Sequence, residues 1–203
     1  MLTLVIDTAT KACSVGLFDG DSVVASHYEV IGRGHAERLL PLIAALPDRG
    51  RADRIMVDVG PGSFTGIRVG VAAARALGLA WGIPVYGYGC LALVAAMARA
   101  HVGASASVDV VMTGGHGEYF FEGFSADGAS LAEAVSLTPE QVAADLTGTT
   151  VAGDIDLGIA GVTHLDLLPD ASKWHLISGA FLLSPSPIYG RPPDAKPQKV
   201  AAT

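Results

Sequence analysis

Gly60-Pro61-Gly62-Ser63-Phe64-Thr65-Gly66-Ile67-Arg68-Val69-Gly70 is the stretch that decides the fold. It follows Ile55-Met56-Val57-Asp58-Val59, an apolar run of buried-strand length, and opens a helix predicted to reach about Trp81. Ser63 or Thr65 is placed to cap that helix. A strand end, a Gly-rich turn and a helix start together present backbone N–H groups and a positive dipole end to an anion. The glycines fall as G-x-G-x-x-x-G, one residue longer than the dinucleotide fingerprint, and no Gly-Lys-Ser/Thr of a P-loop follows. Two readings stay open: phosphate binding at Gly60, Gly62, Ser63, Thr65 and Gly66, or a turn that lets the helix approach a sheet.

Upstream, Leu2–Asp7, Ala12–Phe18 and Ser22–Tyr28 read as three strands joined by tight turns, an antiparallel meander. An amphipathic helix over residues 34–46 follows, with Leu39, Leu42, Ile43 and Leu46 on one face. Downstream, Pro84–Tyr88 is a fifth strand and Leu91–Arg99 a further helix. The order β-β-β-α-β-α-β-α describes an RNase-H-like lobe with a mixed sheet. The pattern restarts after residues 103–106, with strands at Ser107–Thr113 and Glu118–Phe124, a helix at Thr138–Leu146 and a strand near Thr149–Ala152. The boundaries drawn from sequence are an N-terminal lobe over 1–102, a reduced second lobe over 103–190 and an extended or disordered tail over 191–203. Five of the eleven prolines fall from Ser184 onward, which excludes a helix there.

The 203 residues are 50% hydrophobic with a mean hydropathy of +0.44, which excludes intrinsic disorder of the whole chain. Residues 1–100 carry nine Lys/Arg and eight Asp/Glu, a net +1, whereas 101–203 carry four and twelve, a net −8. Neither half has the basic footprint of a protein that holds nucleic acid unaided. Two cysteines without CxxC spacing, and no signal peptide, fit a reducing cytoplasm. Residues 76–98 carry no charge, but Gly78, Gly82, Pro84, Gly87 and Gly89 break them into separate elements, so no membrane span is expected.

Asp7 ends the first strand, with Thr8 and Thr10 placed to donate to phosphate oxygens, although Asp-Thr-Ala-Thr is equally an Asx-type turn. Gly66, Gly70, Ala74 and Gly78 recur every four residues, a stripe of small side chains that serves either core packing or a protein interface. No two of the six histidines lie three to five residues apart, and Ser63 lacks the Gly-x-Ser-x-Gly nucleophile elbow. No metal ligand set and no catalytic residue is assigned, and a peptidase finds neither ligands nor nucleophile.

Ile6-Asp7-Thr8-Ala9-Thr10 with Ala12-Cys13-Ser14-Val15, Gly32-Arg33-Gly34-His35 with Leu39-Leu40-Pro41-Leu42-Ile43, and the Gly60–Gly70 string resemble the TsaB (YeaZ) family. The resemblance is strong over residues 1–98. It implies an α/β fold of two RNase-H-like lobes of the acetate-kinase/Hsp70/actin-like (ASKHA) class, the second lobe reduced. It also implies a non-catalytic, cytoplasmic subunit that pairs with TsaD in making threonylcarbamoyladenosine beside the anticodon of tRNA. TsaE would join through the TsaB–TsaD pair, tRNA would be met only indirectly, and the subunit alone would form a homodimer. TsaD carries a His-x-x-x-His metal pair; the matching positions here are Cys90 and Val94. The Asp-Ala-Arg expected after the first strand of lobe two is replaced around Met112-Thr113-Gly114-Gly115-His116, and Tyr-Leu-Arg near the C-terminus reads Tyr189-Gly190-Arg191.

The expected partner interface lies on the helices starting near Gly34 and Ser63, with His35, Leu39, Arg68, Gly70, Val71, Ala74 and Arg75 as candidate residues. No cofactor is required, and weak nucleotide binding at the vestigial cleft stays open. The alternative is a small-molecule kinase or ATPase of the same fold, using Asp7 with the Gly60–Gly66 turn.

Overall fold

The computed structural model describes residues 1–179 and 182–190. The first sheet holds β1 (Leu2–Asp7), β2 (Ala12–Asp19), β3 (Ser22–Val30), β4 (Arg54–Asp58) and β5 (Val85–Tyr88), in the order β3-β2-β1-β4-β5. The first three strands form an antiparallel meander, and β4 and β5 add in parallel. Helices α1 (His35–Ala45), α2 (Phe64–Trp81) and α3 (Cys90–Val102) follow β3, β4 and β5.

The second sheet repeats that plan. It holds β6 (Val108–Thr113), β7 (Tyr119–Phe124), β8 (Val135–Leu137), β9 (Thr150–Gly153) and β10 (Thr163–Asp166), in the order β10-β9-β6-β7-β8. Here β6 stands where β1 stands in the first lobe, antiparallel to β7 and parallel to β9. The reduction therefore falls on the helices and not on the sheet. Helix α4 (Pro139–Asp145) has seven residues, and no helix separates β9 from β10. Strands β8 and β10 escape a sequence reading because Val-Ser-Leu and Thr-His-Leu-Asp are too short to show a period.

Strand β1 is buried on both faces, which explains its unbroken apolar run. Leu4 and Ile6 face α1 and α2, joining Leu39, Ile43, Val57 and Ile67. Val5 points the other way, to Phe18, Leu93 and Trp174. Helix α3 lies between the lobes, because Leu91, Val94 and Ala98 pack with Val110, Phe120 and Phe124 of the second sheet. Each fully buried Val, Leu, Ile or Phe side chain among these contributes roughly 1.5–3 kcal/mol.

The chain then returns to the first lobe. A 3-10 segment, Ala171–Ile177, lies across β1–β3, with Trp174 edge-on to Phe18 at 5.6 Å and the Ala171 N–H donating to Ser14 Oγ at 3.0 Å. Leu183 exchanges backbone hydrogen bonds with Gly87 on the outer edge of β5, and the Ile188 N–H donates to the Val59 carbonyl at 2.7 Å. Residues 184–190 contain no helix; the expected extended tail over 191–203 lies outside the described residues. Among the described residues no helix is long and apolar enough to cross a membrane.

Candidate functional site

Ser63 is the N-cap of α2, its Oγ accepting from Gly66 N at 3.2 Å; Thr65 lies inside the first turn. The glycines of this turn serve a close approach of two backbones. A Cβ at Gly62 would fall 2.2 Å from the Ala9 carbonyl oxygen, and one at Gly66 would fall 2.0 Å from that of Thr8. The contact is cemented by Ser63 N–H to Ala9 O at 2.6 Å and Thr8 Oγ1–H to Gly66 O at 2.8 Å. The concave side of the Gly-rich turn is thus filled by the protein's own 8–9 backbone.

Asp7 and Asp58 end the neighbouring strands β1 and β4 and are both fully buried. Asp7 Oδ2 accepts from the Tyr88 hydroxyl at 2.9 Å and its Oδ1 from the Ala9 N–H at 3.3 Å. Asp58 Oδ1 accepts from the Gly60 N–H at 2.7 Å, while its Oδ2 has no hydrogen-bond partner. Burial first, then the neighbouring Asp58, pushes the Asp7 carboxyl well up from the usual range. Burial pushes Asp58 up to about 6. Asp58 is the residue missed in sequence, although it carries the same signal as Asp7, a carboxylate closing a buried strand.

Between the lobes lies a cleft of about 940 Å³. Thr10, Lys11, Gly62 and Ser63 line it from the first lobe, and Thr113–His116 with Asp154 from the second. Asp7, Thr8, Gly60, Thr65 and Gly66 are not among its lining residues. At its rim Arg68 lies 3.6 Å over the Phe64 ring and donates to Tyr189 Oη at 2.9 Å, so Tyr189 docks on α2.

The partner candidates divide by exposure. Arg68 and Arg75 are exposed. His35, Leu39, Gly70, Val71 and Ala74 are buried within the subunit. The small-residue stripe faces the protein's own sheet: a Cβ at Gly70 would lie 2.4 Å from Thr8 Oγ1, and one at Gly78 2.4 Å from Val85 Cγ2. His35 is tied to β2 through Nε2 and the Ala12 carbonyl at 3.1 Å. The outward face instead carries Leu40, Pro41 and Ala44 of α1 with Ala72, Ala76, Leu79 and Ala80 of α2, and Leu79 is 86% exposed. Cys90 and Val94, at the positions matching the TsaD metal pair, are fully buried. Among the described residues no three His, Cys, Asp or Glu side chains converge to hold a metal ion.

Two five-stranded mixed sheets built on one plan, enclosing a cleft, define an α/β protein of the ASKHA class. The profile of the TsaD family, tRNA N6-adenosine threonylcarbamoyltransferase, matches residues 25–167. The tRNA threonylcarbamoyladenosine biosynthesis protein TsaB of Escherichia coli K12 is 34% identical over 135 residues, 63% of this chain and 56% of that protein. TsaB of Bacillus subtilis is 33% identical over 104 residues, 49% of this chain and 45% of that protein. The alignments thus span about half the length of these curated relatives. The solved structure of YeaZ from Pseudomonas aeruginosa superposes with a TM-score of 0.78 at 29% identity, covering 93% of this chain and 99% of that one. The chain belongs to the TsaB/YeaZ family, within the wider group that the TsaD profile describes.

Proposed function

We propose that this chain is the non-catalytic subunit that binds and stabilises TsaD in the cytoplasmic complex making threonylcarbamoyladenosine in tRNA beside the anticodon. The observation that carries this reading is the outward side of α2, where exposed Ala72, Ala76 and Leu79 share a helix face with Arg68 and Arg75, together with the exposed Leu40 of α1. Apolar faces of this kind are docking surfaces. The names of the curated relatives place them in that biosynthesis. Alone, the subunit pairs with a second copy through the same face, and TsaE joins through the TsaB–TsaD pair. The net charge of −8 over residues 101–203 leaves tRNA contacts to TsaD.

No cofactor is required for this role. Of the phosphate-side candidates, Asp7, Thr8, Gly60, Thr65 and Gly66 lie away from the cleft, whereas Thr10, Gly62 and Ser63 line it, and weak nucleotide binding there is part of this reading. Co-purification of TsaD with the wild-type chain, lost in Leu79→Asp while the variant stays folded, is the expected result. Normal tRNA modification in a strain lacking this protein would overturn the reading. The open cleft keeps one alternative in view, a small-molecule kinase or ATPase, which micromolar Mg-ATP binding with turnover by the isolated protein would favour.

A further inference from the structure

We propose that Asp7 and Asp58 share one proton in the core of the first lobe, and that this proton locks the turn after β1 to the turn that starts α2. The two carboxyls close adjacent parallel strands, and neither side chain reaches solvent. Asp58 Oδ2 is buried without a donor. A carboxylate oxygen left so would be costly, and the group that faces it is a second carboxyl, which supplies a donor only when protonated. Two ionised carboxylates cannot share such a site, so one keeps its proton. The other groups facing the pair are the Tyr88 hydroxyl from β5 and the Cys90 thiol at the start of α3, with Cys13 of β2 and Tyr28 of β3 further out. All four are pushed up by burial and stay neutral at neutral pH, and Asp154 acts on Cys90 as one more negative charge.

The mechanical consequence follows from what each carboxyl holds. Asp7 takes the Ala9 N–H and Asp58 the Gly60 N–H, while the Ala9 carbonyl takes the Ser63 N–H that opens α2. A proton held between Asp7 and Asp58 therefore ties together the Thr10 and Gly62–Ser63 sides of the cleft floor. Loss of the proton to solvent water leaves two negative charges in contact and loosens both turns.

The test is infrared spectroscopy of the full chain at neutral pH together with amide exchange. The expected result is a protonated-carboxyl C=O band in the wild type that disappears in Asp7→Asn, whose amide donates to Asp58 Oδ2 in place of the proton. A wild type without the band, or a band that survives in Asp7→Asn, overturns the shared proton. From about pH 6 to about pH 9, exchange at Ala9 and Gly60, corrected for base catalysis, should accelerate in the wild type severalfold more than in Asp7→Asn. Equal acceleration overturns the lock. Asp58→Asn, whose amide donates to Asp7 while its carbonyl accepts from Gly60, serves the same comparisons if Asp7→Asn fails to fold.

Discussion

Lys11 Nζ lies 3.3 Å from Asp154 Oδ2, and this ion pair ties the turn after β1 to the end of β9 across the cleft. Asp154 does more than pair with the lysine: it accepts from Thr113 N at 2.7 Å and Thr113 Oγ1 at 2.9 Å, fixing the end of β6. The lysine is half exposed whereas the aspartate is nearly buried. Lys11→Ala is therefore expected to cost about 0–1 kcal/mol. Asp154→Ala, which removes the acceptor of both the Thr113 N–H and the Thr113 hydroxyl, should cost about 1–3 kcal/mol, at about 0.5–1.5 kcal/mol for each hydrogen bond lost. Urea unfolding of both variants checks the asymmetry, and equal losses would contradict it.

Gly70 and Leu79 lie on opposite sides of α2, one against Thr8 and Val57, the other in solvent. Gly70→Ala overpacks the Thr8 contact and should destabilise the subunit by about 1–3 kcal/mol, and Gly70→Leu should abolish folding. Leu79→Asp should leave the midpoint of thermal unfolding nearly unchanged and weaken self-association, read by analytical ultracentrifugation.

Trp174 anchors the returning chain. The residue is 1% exposed, and its ring meets Phe18 edge-on and lies 5.4 Å from the Arg54 guanidinium. Trp174→Ala is expected to cost about 3–5 kcal/mol, with faster amide exchange in β2 and β3 than in β6 and β7, because the cavity opens against the first sheet.

Stability should fall as pH rises. Burial raises both folded carboxyls, Asp58 to about 6, whereas an unfolded aspartate titrates at about 4. Below that value both states carry the protons and the pair costs nothing. Above it the unfolded chain releases protons that the folded chain keeps, so stability is lost progressively as pH rises from about 4 through 6. Thermal unfolding across this range should show a steeper decline in the wild type than in Asp58→Asn.

The cap of α2 is a local term. Ser63→Ala removes the acceptor for Gly66 N and should cost about 1 kcal/mol without changing the pH profile above.

The sequence by itself determined the first lobe, because the meander, the Gly-Pro-Gly turn and the helix starts are written in local signals with a period or a turn residue. Ser63 illustrates this, capping the helix expected of it; in the second lobe Thr138 does the same through a capping box with Gln141. It left Gly70, Ala74 and Gly78 undecided, since a small-residue stripe looks the same whether it meets a sheet or a partner. Only the tertiary structure turned that stripe inward, onto Thr8, Val57 and Val85, and left Leu40 and Leu79 outside. It alone brought Asp58 to Asp7 and Lys11 to Asp154, pairs separated by 51 and 143 residues in the chain. Local periodicity cannot encode such contacts; the pairing of β1 with β4 and the closure of two lobes around α3 create them.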